Sequence, residues 1–185
     1  MPVTVILGPM FSSKTSSMIN LASQYWSREG KKVLLITCDL DTRDPVKRIS
    51  SHFKFYTDLE SLFDIVTLNK NNLSSADVTG YDVVCIDETQ FFTNLWETIN
   101  TWNQMNKHII CSGLKADSDK KPFGEYLNLI ALADRIIECK ALCVGCNCNS
   151  CHPTAVHTRK KIVSDLIDIG ADDKYEPVCG VHYNK

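Results

Sequence analysis

The sequence predicts an α/β fold in which a mostly parallel sheet is flanked by helices. Apolar runs at 3–7, 32–38, 81–87, 108–112 and 135–140 have the length and β-branched content of buried strands. Between them, 14–28, 95–102 and 127–133 carry apolar side chains at helical spacing. Strands that alternate with helices favour parallel pairing, with helices on both faces. We assign 39–64 to a long loop with a short strand near 53–56, and 69–80 to a polar connection.

Length and composition indicate one core domain with a small appendage. The chain has 185 residues, and glycine, asparagine and cysteine become frequent near Ala141, so we expect a core over 1–140 and a second unit over 141–185. The net charge is −2, which offers no basic surface for nucleic acid or a membrane. No apolar stretch is long enough to span a bilayer, and the first residues lack the basic segment of a signal peptide. We therefore expect a cytoplasmic protein without nucleic-acid or membrane partners.

A phosphate-binding loop directly follows the first predicted strand. The pattern Gly-x4-Gly-Lys-[Ser/Thr] is matched except that Ser13 replaces the second glycine. Such a loop points backbone N–H groups at phosphate oxygens; Lys14 would reach the β- and γ-phosphates, and the Thr15 hydroxyl would bind Mg²⁺. A polar turn with a chance lysine is the alternative. The residues expected around the ATP phosphates are Gly8, Pro9, Met10, Phe11, Ser12, Ser13, Lys14 and Thr15.

Two acidic residues end the predicted strand 81–87. Asp87 would leave the sheet at its carboxyl end, where α/β folds bind ligands, and would hold Mg²⁺ together with Thr15. Glu88 lies one residue beyond and could accept a proton from an attacking hydroxyl group. The alternative is that both carboxylates are merely solvated at a strand end.

Cysteine spacing near the C-terminus predicts a metal site. Of the nine cysteines, Cys38, Cys85 and Cys111 lie in apolar runs and are interpreted as buried thiols, whereas most others crowd into the last third of the chain. That distribution favours a reducing compartment and a bound metal. Two pairs on tight turns would supply a tetrahedral structural Zn²⁺ site: Cys143, Cys146, Cys179 and His182. Cys148, Cys151 and His152 lie close enough in sequence to compete as ligands.

Five sequence blocks, in order along nearly the whole chain, resemble the type II thymidine kinases. They are 7–15, Asp41-Thr-Arg43, Ile86-Asp-Glu-Thr-Gln-Phe-Phe92, Lys121-Pro-Phe-Gly124 and Ala171-Asp-Asp-Lys-Tyr175. The resemblance implies a RecA-like P-loop core with a small zinc-binding domain whose lasso loop, about 158–175, covers the nucleoside. It implies Mg²⁺-dependent transfer of the γ-phosphoryl group of ATP to the 5′-hydroxyl of thymidine. It also implies a homo-oligomer, usually a tetramer.

The resemblance further implies roles for individual side chains. Glu88 matches the catalytic base, and Arg43, Asp87 and Gln90 join the phosphate loop in binding ATP. The zinc ligands fall at the four positions given above. The nucleoside pocket would be lined by Met10, Phe91, Leu114, Ser118, Phe123 and Tyr175, with Tyr175 packing on the base. From periodicity alone, the apolar members of this set are equally compatible with plain core packing.

Several positions differ from the family pattern. Ser13 cannot adopt a positive φ as cheaply as the usual glycine. Thr89 replaces a glycine, Ser118 replaces an aromatic residue, and Asp168 replaces an apolar lasso residue. The alternatives to a thymidine kinase are therefore a P-loop phosphotransferase or ATPase with a changed acceptor, and a non-catalytic nucleotide-binding relative. The retained Lys14, Asp87, Glu88 and Arg43 argue against a scaffold, which has no chemical need for all four.

Overall fold

The centre of the molecule is a six-stranded parallel sheet. The computed structural model describes residues 2–40, 62–146, 154–161 and 174–184. The sheet has the order β3-β2-β4-β5-β1-β6, and each neighbouring pair is parallel. Its strands are β1 Val3–Gly8, β2 Val33–Cys38, β3 Asp64–Leu68, β4 Val83–Ile86, β5 His108–Leu114 and β6 Arg135–Glu138. The predicted α/β fold with a parallel sheet is confirmed.

Helices cover both faces of this sheet because alternate strand residues point in opposite directions. Helix α1, Lys14–Glu29, packs Met18 and Ile19 on one face, together with Ile6 of β1. Helix α2, Leu95–Gln104, packs on the other face, which Val5 and Leu7 of β1 share. The apolar runs read as buried strands thus supply two separate cores, one on each side.

A buried tyrosine ties the strands that lead to the phosphate loop. The Tyr126 hydroxyl lies 2.8 Å from the carbonyl oxygen of Ile6 and 3.1 Å from that of Cys111, which belong to β1 and β5. The hydroxyl donates to these carbonyl oxygens. Full burial raises the pKa of Tyr126 well above its ordinary value, so the hydroxyl stays neutral and remains a donor. The carboxyl ends of β1 and β5 are therefore held together at the edge where ligands of α/β folds bind.

The structure differs from the sequence prediction in four places. Strand β3 was not predicted; it is a half-exposed edge strand without a continuous apolar run. The helix expected at 127–133 is a 3₁₀ segment, Tyr126–Ala131, and β5 continues through Gly113 to Leu114. β6 pairs only with β1 in the described sheet and is largely exposed, so it is an edge strand and not a buried one. The short strand expected near 53–56 lies outside the described residues.

The C-terminal segment forms a small unit that packs on the phosphate loop. β7 Ala141–Leu142 pairs with β8 Thr154–Ala155, and β9 His157–Lys160 pairs with β10 Tyr175–Val178, both antiparallel. A short helix, α3 Gly180–Tyr183, follows. The buried residues Ala141, Cys143, Ala155 and Val178 form its core, and Phe11 of the phosphate loop packs against them.

The described cysteines fit the sequence interpretation. Cys38, Cys85 and Cys111 are buried, as predicted. Burial raises the pKa of Cys111 to about 12 and that of Cys85 further, which leaves both protonated and unreactive. No helix in the described part of the chain has the length and apolarity needed to cross a membrane.

Candidate active site

The phosphate loop joins β1 to α1 through two residues in the left-handed region. Phe11 has φ 63° and Ser13 has φ 60°, so the serine that replaces the second glycine of the phosphate-loop pattern adopts a left-handed conformation. The sequence analysis noted that a positive φ costs serine more than glycine, and Ser13 adopts this conformation all the same. Gly8 at the end of β1 is needed for a different reason: a Cβ there would lie 2.4 Å from Ser12 Oγ and 2.6 Å from the Cys139 carbonyl oxygen.

Polar side chains of the loop fold back on the loop itself. Lys14 Nζ donates to the Pro9 carbonyl oxygen at 2.7 Å, and Ser12 Oγ donates to the same oxygen at 2.8 Å. Both side chains are buried, which for a lysine requires such partners. The ammonium group thus lies across the loop, at the start of α1, where a phosphate anion is favoured.

The two predicted magnesium ligands contact each other. Thr15 Oγ1 lies 2.9 Å and 3.1 Å from the two carboxylate oxygens of Asp87. Asp87 is buried at the end of β4, and its N–H donates to the Ile36 carbonyl oxygen of β2 at 2.9 Å. A hydroxyl and a carboxylate at this edge form the all-oxygen donor set that Mg²⁺ prefers, so the residues present fit that ion.

Glu88 is held in a strained conformation directly after Asp87. Its backbone has φ 48° and ψ 41°, an arrangement that usually persists only where the surroundings impose it, often at functional sites. Gln90 Nε2 donates to Glu88 Oε2 at 2.6 Å, and Gln90 Oε1 accepts from the Leu114 N–H at 2.9 Å. The sequence singled out Glu88 but gave no sign of this contact with Gln90.

The structure brings together some of the predicted nucleoside-pocket residues. The rings of Phe91 and Phe123 meet edge to face, with centroids 5.6 Å apart. Leu114 ends β5 and is joined to the Glu88 region through Gln90. The Met10 N–H donates to Thr158 Oγ1 of β9 at 3.0 Å, and Tyr175 lies opposite Lys160 in the β9–β10 hairpin.

Ser118 is attached to the C-terminal helix through its main chain. Its carbonyl oxygen accepts a hydrogen bond of 2.5 Å from the Tyr183 hydroxyl. The Tyr183 ring contacts Lys120, whose Nζ lies 3.6 Å from the ring centroid, and it meets the His157 ring edge to face with centroids 5.5 Å apart. Tyr183 and Thr158 were not predicted as site residues, because only tertiary contacts reveal their positions.

The predicted metal ligands form a compact group. The ligand atoms of Cys143, Cys146, Cys179 and His182 all lie within 4.8 Å of one another. Sγ–Nδ1 separations from His182 are 3.2–3.6 Å, and Cys146 Sγ lies 3.8 Å from Cys179 Sγ. These edges match a tetrahedron with Zn–S of about 2.3 Å and Zn–N of about 2.0 Å. The cluster is thus consistent with a structural zinc site.

The surroundings of the cluster favour a metal-binding state. Hydrogen bonds, first that involving the His182 backbone, lower the pKa of the Cys179 thiol to about 6, towards the thiolate that binds metal. Arg159 fixes the fourth ligand by donating to the His182 carbonyl oxygen, while its Nε donates to Glu176 Oε1 at 2.8 Å. A Cβ on Gly145 would lie 2.7 Å from His182 Cγ, so glycine lets this ring approach.

Some predicted residues lie outside the described ranges. Arg43 of the Asp-Thr-Arg block, Asp168 of the lasso, and the competing ligands Cys148, Cys151 and His152 belong to this group. The described cluster is formed without the last three.

Comparison with known sequences is in keeping with these observations. A sequence model of the family described as thymidine kinase matches residues 1–183. The thymidine kinase of Choristoneura fumiferana entomopoxvirus is 30% identical over 190 residues, covering 100% of this chain and 97% of its own. That of Acanthamoeba polyphaga mimivirus is 32% identical over 186 residues, with 97% and 80% covered. That of Mycoplasma genitalium is 31% identical over 189 residues, with 97% and 82% covered.

Proposed function

The chain belongs to the thymidine kinase family, and we propose that it transfers the γ-phosphoryl group of ATP to the 5′-hydroxyl of thymidine with Glu88 as general base. The observation that carries this proposal is the contact between the segments that follow β1 and β4. The Thr15–Asp87 contact adjoins Glu88, whose carboxylate is linked by Gln90 to Leu114 at the end of β5. The loop proposed for phosphate, the oxygen donors proposed for Mg²⁺ and the proposed base therefore lie at one edge of the sheet.

The loop and Lys14 would bind the phosphates. The loop N–H groups at the start of α1 would donate to phosphate oxygens. Lys14 would give up its hydrogen bond to the Pro9 carbonyl oxygen and contact the γ-phosphoryl group instead. Arg43, on the evidence of the resemblance, would add a second positive charge. Thr15 and Asp87 would hold Mg²⁺, which when bound neutralises charge on the β- and γ-phosphates.

Glu88 would prepare the acceptor for in-line transfer. As the 5′-oxygen bonds to the γ-phosphorus and the bond to the β–γ bridging oxygen breaks, the hydroxyl proton passes to the Glu88 carboxylate and ADP leaves. Phe91, Phe123, Leu114 and Met10 would flank the nucleoside, and Tyr175 would cover the base from the lasso side. The edge-to-face pair of Phe91 and Phe123 supports a preformed apolar wall.

Replacing the base gives the decisive test. We expect Glu88→Gln to lower kcat for thymidine about 10²–10⁴-fold, because proton transfer by a positioned group contributes that much. Mg-ATP binding should change little. Glu97→Gln, the same substitution at an exposed position of α2, is the matched control. A Glu88→Gln enzyme that keeps more than half of the wild-type turnover contradicts the role.

A changed acceptor is the second candidate function, and Ser118 is the observation that favours it. The serine leaves one face of the pocket without a ring, and its carbonyl oxygen is engaged by Tyr183. A coupled ADP-release assay across purine and pyrimidine nucleosides distinguishes the two candidates. If a purine nucleoside gives a higher kcat/KM than thymidine, the protein is still a kinase but its acceptor is not thymidine.

The remaining features of the proposal concern organisation. We take 1–140 as the ATP-binding core and 141–185 as the nucleoside-covering unit held by structural Zn²⁺ at Cys143, Cys146, Cys179 and His182. The resemblance implies a cytoplasmic homo-oligomer, usually a tetramer, and the cysteine distribution along the sequence favours a reducing compartment. Sedimentation at several protein concentrations tests the oligomeric state.

A further inference from the structure

The Gln90 side chain is buried and held at both ends of its amide. Its oxygen accepts from the Leu114 N–H at 2.9 Å, and its nitrogen lies 2.6 Å from Glu88 Oε2. A peptide N–H can only donate, so the amide oxygen must face Leu114 and the NH₂ group must face the carboxylate. The orientation of the amide is therefore fixed by its partners.

Two glycines enclose this residue. A Cβ on Gly113 would lie 2.6 Å from Gln90 Oε1, and a Cβ on Gly124, at φ 58°, would lie 2.6 Å from the Gln90 carbonyl oxygen. Only 3% of Gln90 is exposed. A side chain enclosed in this way has no space to swing towards a nucleotide phosphate, in contrast to the ATP-binding role that the resemblance implies.

We propose that Gln90 is a positioning residue that holds the Glu88 carboxylate in register with the nucleoside wall at Leu114. This inference rests on the proposed function and explains how the proposed base, Glu88, is held in position. Glu88 has a long side chain on a left-handed backbone, so a second attachment is needed to fix the carboxylate oxygen. Misplacement by about 1 Å can cost about 10²-fold in rate, which sets the scale of the effect.

Two substitutions separate the ends of the amide. Gln90→Met keeps the length and removes both hydrogen bonds, whereas Gln90→Glu keeps an acceptor for the Leu114 N–H and places a second carboxyl group against Glu88 in place of the amide donor. The matched control is Thr89→Val in the same turn, which is fully buried and loses the bond from its hydroxyl to the Ile86 carbonyl oxygen, 2.9 Å, without touching the carboxylate.

The measurements are the single-turnover rate, KM for Mg-ATP and the melting temperature. We expect both Gln90 variants to lose about 10–100-fold in rate with KM for Mg-ATP within about 2-fold, because the Glu88 carboxylate is no longer held in place. Thr89→Val should lower the melting temperature and keep the wild-type rate. Should Gln90→Met fail to fold, the loss of rate in Gln90→Glu, which preserves the Leu114 bond, provides the test.

Other outcomes overturn the inference. A raised KM for Mg-ATP with unchanged kcat would assign Gln90 to the phosphates. A rate loss in Thr89→Val as large as that in Gln90→Met would make the role of Gln90 merely structural. Glu88→Gln distinguishes these failures from failure of the proposed function. If that variant is inactive while Gln90→Met behaves as wild type, the base stands and only the positioning role is lost.

Discussion

Replacing Ser13 by glycine should stabilise this protein. Ser13 lies at φ 60° and ψ 30°, directly before α1, and its side chain makes no capping hydrogen bond. Its carbonyl oxygen accepts from the Ser17 N–H at 2.9 Å, a main-chain bond that glycine preserves. Phe11, also left-handed, packs on the small C-terminal core, whereas Ser13 is exposed and has no such packing.

The magnitude follows from two opposing terms. The left-handed conformation costs an L-residue about 1–2 kcal/mol, and glycine is free of that cost. Glycine loses more conformational freedom on folding, which offsets about 0.5–1 kcal/mol. The expected net gain is about 0.5–1 kcal/mol, and for a chain of this size it corresponds to a rise in melting temperature of about 1–4 °C.

Urea unfolding followed by tryptophan fluorescence measures this gain, since the chain has three tryptophans. Ser27→Gly is the matched control, because Ser27 is an exposed residue inside α1. There glycine should destabilise by about 0.5 kcal/mol, the difference in helix propensity. If Ser13→Gly lowers the free energy of unfolding as Ser27→Gly does, Ser13 does not carry left-handed strain and the reasoning fails.

Four further predictions address the site. Lys14→Ala should abolish transfer while the fold remains, because its charge is needed on the transferring group; circular dichroism and the coupled assay check this. Elemental analysis should find one Zn²⁺ per chain, and its removal should lower the melting temperature. Thr158→Val should raise KM for Mg-ATP about 5-fold, because the Met10 N–H loses a hydrogen bond worth about 1 kcal/mol. Ser118→Phe should lower KM for thymidine with little change in kcat, the result expected of added uniform binding; a raised KM contradicts the pocket assignment.

The sequence predicted the main sheet because its inner strands are continuous apolar runs bounded by turns. β2 and β4 have every residue buried, and such runs are recognisable without any partner. β3 was missed for the opposite reason. Its residues are mostly half-buried or exposed, and what makes them a strand is the ladder to β2, from Leu34 opposite Asp64 to Cys38 opposite Leu68. Pairing with a strand that is distant in sequence cannot be recognised from the local spacing of apolar residues.

The candidate site could be predicted only where its chemistry follows from spacing along the chain. Lys14, Thr15, Asp87 and Glu88 stand in short motifs next to strands, and the Cys/His pairs have metal-ligand spacing. Contacts across long sequence separations were invisible, such as the bond from Met10 to Thr158. The cost of a positive φ at Ser13 could be anticipated from the motif, whereas the positive φ of Glu88 could not, because only the tertiary structure imposes it.

The contacts between the small C-terminal unit and the phosphate loop connect zinc binding to ATP binding. Arg159 links the carbonyl oxygen of the zinc ligand His182 to Glu176 in the β9–β10 hairpin. Thr158, the residue before Arg159 in β9, accepts a hydrogen bond from the Met10 N–H. Phe11 packs against the small core that contains Cys143. Because β9 carries both attachments, loss of the metal should be felt in the loop that receives the phosphates. Zinc removal should therefore raise KM for Mg-ATP in the wild type. In Thr158→Val the hydrogen bond to Met10 is already lost, so zinc removal should raise KM by a smaller factor. Such non-additivity is expected of coupled sites.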